Sequence, residues 1–132
     1  MRVLVFGNPT SKIDSAAVKV AKRLSKKLPG VEFVLFDTAE DLEREGGELV
    51  IMDAVVGLKS PRTIKLEELE LPANPLSLHG FDLIWNLLLL KKLGKVRSVT
   101  IIGIPANQPY TKSLQKAQKI ISSCPAAQKS MG

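Results

Sequence analysis

The chain has 132 residues, of which 45% are hydrophobic and 24% are charged, and this composition fits one globular domain and excludes an intrinsically disordered protein. Its formal net charge is +6, from 19 Lys and Arg against 13 Asp and Glu, which is compatible with an acidic partner but does not specify a fold. Cys124 is the only cysteine, so an intrachain disulfide and a thiolate metal cluster are both excluded.

The first half of the chain alternates short aliphatic runs with helical patterns. The sequence predicts a strand at Arg2–Phe6, followed by a turn and a helix at about Asp14–Leu28. A second strand is predicted at Glu32–Phe36 and a short acidic helix at about Ala39–Arg44. The third strand is predicted at Glu48–Met52, an aliphatic run that follows a pair of glycines.

The second half begins with a proline-broken stretch. Residues 54–77 are predicted to be irregular, apart from an edge strand in the alternating segment Thr63–Leu66. A helix is predicted at about Gly80–Leu93, a strand at Ser98–Ile104, and a last helix at about Thr111–Ser123. This order predicts a single three-layer α/β domain over residues 1–124, with a mostly parallel sheet of about five strands and helices on both faces. Residues 125–132 are predicted to form a frayed tail.

Two of the predicted helices have informative faces. The helix at 14–28 has lysines and Arg23 on one side and apolar residues on the other, which is the usual division between a solvated and a buried face. The helix at 80–93 is apolar around nearly its whole circumference. It is therefore either deeply buried or partly exposed for a partner, and burial is the simpler expectation.

No feature of the sequence predicts membrane insertion or export. The segment Met1–Val5 enters a strand pattern directly and lacks the apolar region of a signal peptide. The longest apolar stretch, around Leu83–Leu90, is shorter than the ~20 residues that span a bilayer. We therefore expect a cytoplasmic protein that does not insert into membranes.

Three residues are candidates for a functional site at one edge of the predicted sheet. Asp14 opens the first helix, Asp53 directly follows the third strand, and His79 directly precedes the apolar helix. If the strands are parallel, these positions gather at the carboxyl edge, where open α/β folds bind ligands. A carboxylate directly after a buried strand is costly to desolvate unless something pairs with it.

Two carboxylates and one imidazole have the composition of a metal site. Oxygen and imidazole ligands suit zinc, nickel and similar divalent ions, and three protein ligands leave positions open for water or substrate. Taken singly, Asp14 is explained as a helix N-terminal acid, and His79 as a capping or surface residue. The sequence has no nucleophile elbow, zinc-protease helix, P-loop or dinucleotide-binding fingerprint.

These segments together resemble a known family. Gly7-Asn8-Pro9 followed by Asp14, then Ile51-Met52-Asp53-Ala54-Val55, then Ser77-Leu78-His79, resembles the nickel-iron hydrogenase maturation endopeptidases over roughly residues 1–104. The resemblance implies a five-stranded sheet between helices, and removal of a C-terminal extension from the hydrogenase large-subunit precursor after nickel insertion. Asp14, Asp53 and His79 fall on the metal-contacting positions of the family and are thereby assigned as the catalytic and metal-binding residues.

The resemblance also implies the metal and the partner. Nickel is expected to be supplied by the precursor, with zinc or cadmium able to substitute in vitro, and residues around Leu83–Leu90 are candidate contacts for the large subunit. The chain departs from the family pattern at Ile13, where an acid is usual, and at Val5, where a glycine is usual. It also reads Phe36-Asp37-Thr38 in place of a Gly-Gly-Thr-type loop.

Two other functions remain open from the sequence. A non-catalytic module of the same fold would recognise a precursor or a metal without cutting it, and the departures from the family pattern favour this alternative. A basic nucleic-acid binder would use the lysine-rich face of the first helix. No aromatic residues interleave with those charges, so we expect no nucleic-acid partner.

Overall fold

A computed structural model describes residues 1–7, 15–36, 42–69, 77–78 and 81–124. The predictions for Asp14, His79 and the tail at 125–132 therefore lie outside the described residues. Six strands and four α-helices follow one another in these ranges: β1 (Arg2–Phe6), α1 (Ala16–Lys27), β2 (Glu32–Phe36), β3 (Glu48–Val56), β4 (Arg62–Lys65), α2 (Leu66–Leu69), β5 (Ser77–Leu78), α3 (Phe81–Lys92), β6 (Ser98–Pro105) and α4 (Leu114–Ser123). Two 3-10 turns, Leu42–Glu45 and Tyr110–Ser113, precede β3 and α4.

The strands form one mostly parallel sheet. Its main path runs in the order β2-β1-β3-β6-β4, in which the first four strands are parallel and β4 is antiparallel to β6. The two-residue strand β5 pairs antiparallel with the end of β3. The predicted fold class is confirmed, and β4 at the edge confirms the strand expected in the proline-broken stretch.

Alternation along the central strand divides the core into two layers. Val50, Met52 and Ala54 of β3 pack with α1 and α4 on one face of the sheet. Ile51 and Val55 pack on the other face, in the layer that contains Leu87 of α3. Because β3 is buried on both faces, its sequence does not alternate between apolar and polar residues, as is usual for a central parallel strand, and Asp53 is the one polar residue among its buried positions.

The helix α1 has the division of faces that the sequence predicts. Its buried side includes Val20, Ala21 and Leu24, whereas Lys19, Lys22, Arg23, Lys26 and Lys27 are all exposed. Lys26 and Lys27 lie in the last turn, where the helix dipole favours a positive charge. The charge of this helix therefore has a local structural explanation.

The helix α3 is buried on one side only. Leu87 is completely buried, but Trp85, Leu89 and Leu93 are 63%, 53% and 59% exposed. The expectation that this helix is buried all round is therefore wrong for these three residues. The helix ends in a Schellman motif, in which Gly94 has a φ of 75° and Lys95 N–H donates to the Leu90 carbonyl oxygen at 3.0 Å. Within the described ranges, no helix has the length and apolar character needed to cross a bilayer.

Candidate functional site

Asp53 lies inside β3 and is completely buried. The predicted strand stopped at Met52, and this boundary is wrong because the strand continues to Val56. Asp53 was predicted to follow the strand directly, and it instead lies within the strand, where its backbone pairs with Gly103 of β6. One carboxylate oxygen, Oδ1, accepts a hydrogen bond from Ala54 N–H at 2.9 Å.

The position of Asp53 in the alternation of β3 places its side chain on the α3 face of the sheet. Ile51 and Val55, two residues before and after it, both pack in that layer. Gly103, its neighbour on β6, has no side chain there. A Cβ at Gly103 would come within 2.7 Å of Leu58 Cδ1 and 2.8 Å of Ile64 Cδ1, so the space beside Asp53 is tightly filled.

The strand β5 brings the chain that leads to His79 close to Asp53. Leu78 pairs with Val55, and Val55 pairs on its other side with Pro105 of β6. Because a strand has only two edges, β5 lies on the edge of β3 that β1 occupies further back, at Ile51 and Met52. His79 is the next residue after Leu78, although it lies outside the described residues.

The chain that leads to Asp14 ends at the same edge. Val5 of β1 pairs with Met52, the residue before Asp53, and β1 ends one residue later. After the interval that contains Asp14, the chain is described again at Ser15, which is 1% exposed and directly precedes α1. The described neighbours of all three predicted residues therefore lie at the carboxyl edge of the sheet, and the convergence of the three side chains themselves stays a prediction.

Histidine, cysteine, aspartate and glutamate side chains are the usual protein ligands of metal ions. In the part of the chain that the structure describes, no three of these side chains come together. Only Asp53 of the three predicted ligands lies in that part, so the predicted metal site remains untested. Cys124 is buried at the end of α4, and desolvation raises the pKa of its thiol, which keeps it protonated near neutral pH.

A pocket of about 250 Å³ lies beside the start of α1, and the sequence did not predict it. It is lined by Ser15, Ala16, Lys19, Ala106, Gln108, Pro109 and Tyr110. The Tyr110 ring faces two cations of α1, with its centroid 5.8 Å from Lys19 Nζ and 6.0 Å from the Arg23 guanidinium carbon. Tyr110 is 87 residues from Arg23 in sequence, so no local motif joins them.

The fold is that of the hydrogenase maturation peptidases. Over 100% of its length, the chain superposes on 94% of the hydrogenase maturating endopeptidase HybD from E. coli, with a TM-score of 0.63 and 21% identity. The hydrogenase 3 maturation protease matches 90% of this chain, over 87% of its own length, with a TM-score of 0.59 and 20% identity. An uncharacterized protein from Wolinella succinogenes matches at a TM-score of 0.50 and 18% identity, over 98% of this chain and 94% of its own.

These structural similarities confirm the resemblance and the fold that the sequence predicts. At 20–21% identity they establish the architecture and do not by themselves establish an activity. No protein-family model matches the chain, and no curated protein matches its sequence.

Proposed function

We propose that this protein is a maturation endopeptidase that removes the C-terminal extension of a nickel-iron hydrogenase large-subunit precursor after nickel has been inserted. The observation that carries the proposal is the carboxylate of Asp53, completely buried in the central strand of a maturation-peptidase fold. A buried carboxylate costs free energy, and such groups are concentrated at sites where their charge is used.

The chemistry that we assign to the site follows from its ligands. Nickel enters with the precursor and is part of the substrate. Asp14, Asp53 and His79 would bind that nickel and thereby fix the cleavage region of the precursor. A carboxylate removed from water attracts a cation more strongly than one in bulk solvent, because the effective dielectric constant is lower. Several coordinate bonds to a shared metal also supply more orientation than three side chains could give to a bare peptide.

The test compares the nickel-loaded and the nickel-free precursor. Mass spectrometry of the large subunit, before and after incubation, should show loss of the C-terminal extension from the nickel-loaded form and not from the nickel-free form. A precursor of the same sequence loaded with zinc tests whether zinc can replace nickel. If the nickel-free precursor is cut as fast as the loaded one, nickel is not the signal and the proposed role of the three residues is wrong.

A variant of Asp14 tests the same site from the side of the enzyme. Glutamate is one methylene longer than aspartate, and members of the family that the sequence resembles often have glutamate at this position. Asp14→Glu should therefore preserve or increase nickel-dependent cleavage, whereas Asp14→Ala should abolish it. Equal cleavage by both variants would remove Asp14 from the site.

The second candidate function is a non-catalytic module of the same fold that binds a precursor or a metal. The departures at Ile13 and at Phe36-Asp37-Thr38 favour it. A protein that binds the nickel-loaded precursor in a pull-down but leaves its C-terminus intact would support this function and refute the peptidase. The contact of residues around Leu83–Leu90 with the large subunit stays a prediction, which the exposed Trp85 and Leu89 make testable.

A further inference from the structure

The pocket beside the start of α1 is lined by one cation and two hydroxyl groups, and a second cation lies next to its tyrosine. Lys19, Ser15 and Tyr110 line the pocket, whereas Arg23 lies outside the lining with its guanidinium carbon 6.0 Å from the centroid of the Tyr110 ring. Arg23 Nη2 donates to the Tyr110 hydroxyl oxygen over 3.4 Å. The phenol hydrogen therefore remains available to an acceptor in the pocket. Ser15 is 1% exposed, and its hydroxyl makes no capping bond to α1.

The two cations differ from several others on the surface in having no carboxylate partner. Arg2, Arg62, Lys91 and Lys95 each form an ion pair with a glutamate. Among the described residues, no carboxylate forms an ion pair with Lys19 or Arg23, whose contacts are instead with the Tyr110 ring. The pocket is thus a positively charged, hydroxyl-lined surface without a counter-ion from the described part of the chain.

A hydrogen bond connects the lining of the pocket to the strand that carries Asp53. Ala106, which lines the pocket, directly follows β6, and its N–H donates to the Val55 carbonyl oxygen at 3.1 Å. Val55 is two residues beyond Asp53 on β3. Ser15, which also lines the pocket, directly follows Asp14 in sequence. The pocket therefore lies near the carboxyl ends of β3 and β6 on the α1 side of the sheet, whereas the Asp53 side chain lies on the α3 side.

We propose that this pocket is a carboxylate-binding subsite that holds an acidic group of the peptide to be cleaved. The proposal rests on the proposed function, because it identifies that peptide with the C-terminal extension of the precursor. A volume of about 250 Å³ suits a single side chain or chain end. The ammonium of Lys19 and the hydroxyls of Ser15 and Tyr110 can donate hydrogen bonds. A charged carboxylate accepts these hydrogen bonds more strongly than a neutral amide does.

The experiment uses three short synthetic peptides that share one neutral sequence. The first contains a central glutamate and an amidated C-terminus, the second replaces that glutamate by glutamine, and the third is the glutamine peptide with a free C-terminal carboxylate. Titration calorimetry measures their binding to the parent protein, Lys19→Gln, Tyr110→Phe and Lys26→Gln. Lys26 is an exposed cation of the same helix that does not line the pocket, so its variant controls for net charge.

Binding of a carboxylate peptide, but not of the neutral peptide, is expected for the parent protein. The glutamate peptide identifies a side chain as the ligand, and the free-carboxylate peptide identifies a chain end. Lys19→Gln should weaken the binding about fivefold, as expected for a partly exposed ion pair. Tyr110→Phe keeps the ring over the cations but removes the hydroxyl, and should weaken it by about threefold or more. Lys26→Gln should stay within about twofold of the parent.

Three results would overturn the proposal: equal binding of the acidic and neutral peptides, no binding of any peptide at millimolar concentration, or equal weakening by Lys19→Gln and Lys26→Gln. The last of these would indicate generic attraction of anions to the basic helix face. The cleavage assay distinguishes failure of the subsite from failure of the proposed function. Cleavage of the precursor that is unaffected by Lys19→Gln leaves a peptidase without this subsite, and carboxylate binding without any cleavage leaves a subsite on a protein that is not a peptidase.

Discussion

Substitution of Gly103 by alanine tests the packing beside the buried carboxylate. Gly103 pairs with Asp53 across β3 and β6, and both positions face the α3 side of the sheet. An alanine Cβ would lie 2.7 Å from Leu58 Cδ1, 2.8 Å from Ile64 Cδ1 and 3.1 Å from Val55 Cγ2. The first two distances are well below van der Waals contact, so the neighbouring side chains must move.

The magnitude follows from two opposing effects. Overpacking a filled core costs about 1–3 kcal/mol. Replacing glycine inside a strand by alanine regains about 0.5–1 kcal/mol of chain entropy. We expect Gly103→Ala to lower the free energy of unfolding by about 1 kcal/mol or somewhat more, which corresponds to a fall in Tm of about 3–6 °C for a domain of this size.

Urea unfolding and calorimetry measure this change, with Gly30→Ala as the matched control. A Cβ at Gly30 meets no atom within 4 Å, so that variant should be neutral or more stable by up to about 1 kcal/mol. Ile64→Val removes the methyl that the new Cβ would meet. Added to Gly103→Ala, it should destabilise less than the sum of the two single changes. A Gly103→Ala protein as stable as Gly30→Ala would refute the tight packing beside Asp53.

Three further predictions concern the site and the surface. Asp53→Asn should abolish cleavage while the unfolding transition stays cooperative, since the amide oxygen can still accept the hydrogen bond from Ala54 N–H. Circular dichroism during urea unfolding checks the fold, and an unfolded variant would assign Asp53 a structural role. The parent protein should bind nickel, zinc or cadmium weakly, because three ligands leave coordination positions open, and His79→Ala should weaken this binding further. Calorimetry that gives the same metal affinity for both proteins would contradict the assignment of His79. The hydrogen bond from Lys91 lowers the pKa of Glu67 below its ordinary value of 4.5, so the pair should stabilise the fold slightly above about pH 5 and lose this effect as the pH falls through the lowered pKa. Lys91→Gln should therefore be slightly less stable than the parent at pH 6, and the difference should shrink on acidification; a difference that grows on acidification would show that the sign is wrong.

The sequence predicts helices and strands well where the hydrophobic pattern ends at a residue that is typical of a turn. The bounds predicted for β1 and β2 are those observed, and the helix α1 lies within its predicted range. In each case a glycine, proline or charged residue stands where the apolar pattern stops. Local information was sufficient because local propensity and tertiary burial favour the same structure.

The prediction for β3 failed at Asp53 because a buried carboxylate runs against local propensity. Aspartate is depleted in strands, so the strand pattern ends at Met52, whereas pairing with β6 continues the strand to Val56. The two residues of β5 carry too little pattern to be recognised. The contact of Tyr110 with Lys19 and Arg23 joins distant parts of the chain, and only the folded structure reveals it.

The strands β6 and β5 pair with β3 over different lengths, and this difference determines how readily each separates from β3. Met52 and Asp53 belong to a strand held by an eight-residue ladder to β6, whereas β5 is attached to β3 through only two residue pairs. Hydrogen exchange should therefore be slowest for the backbone amides around Asp53, which open only with global unfolding, and much faster for those of β5. The strand that carries Asp53 would then stay in place, while β5, which leads to His79, can separate from the sheet without unfolding the domain.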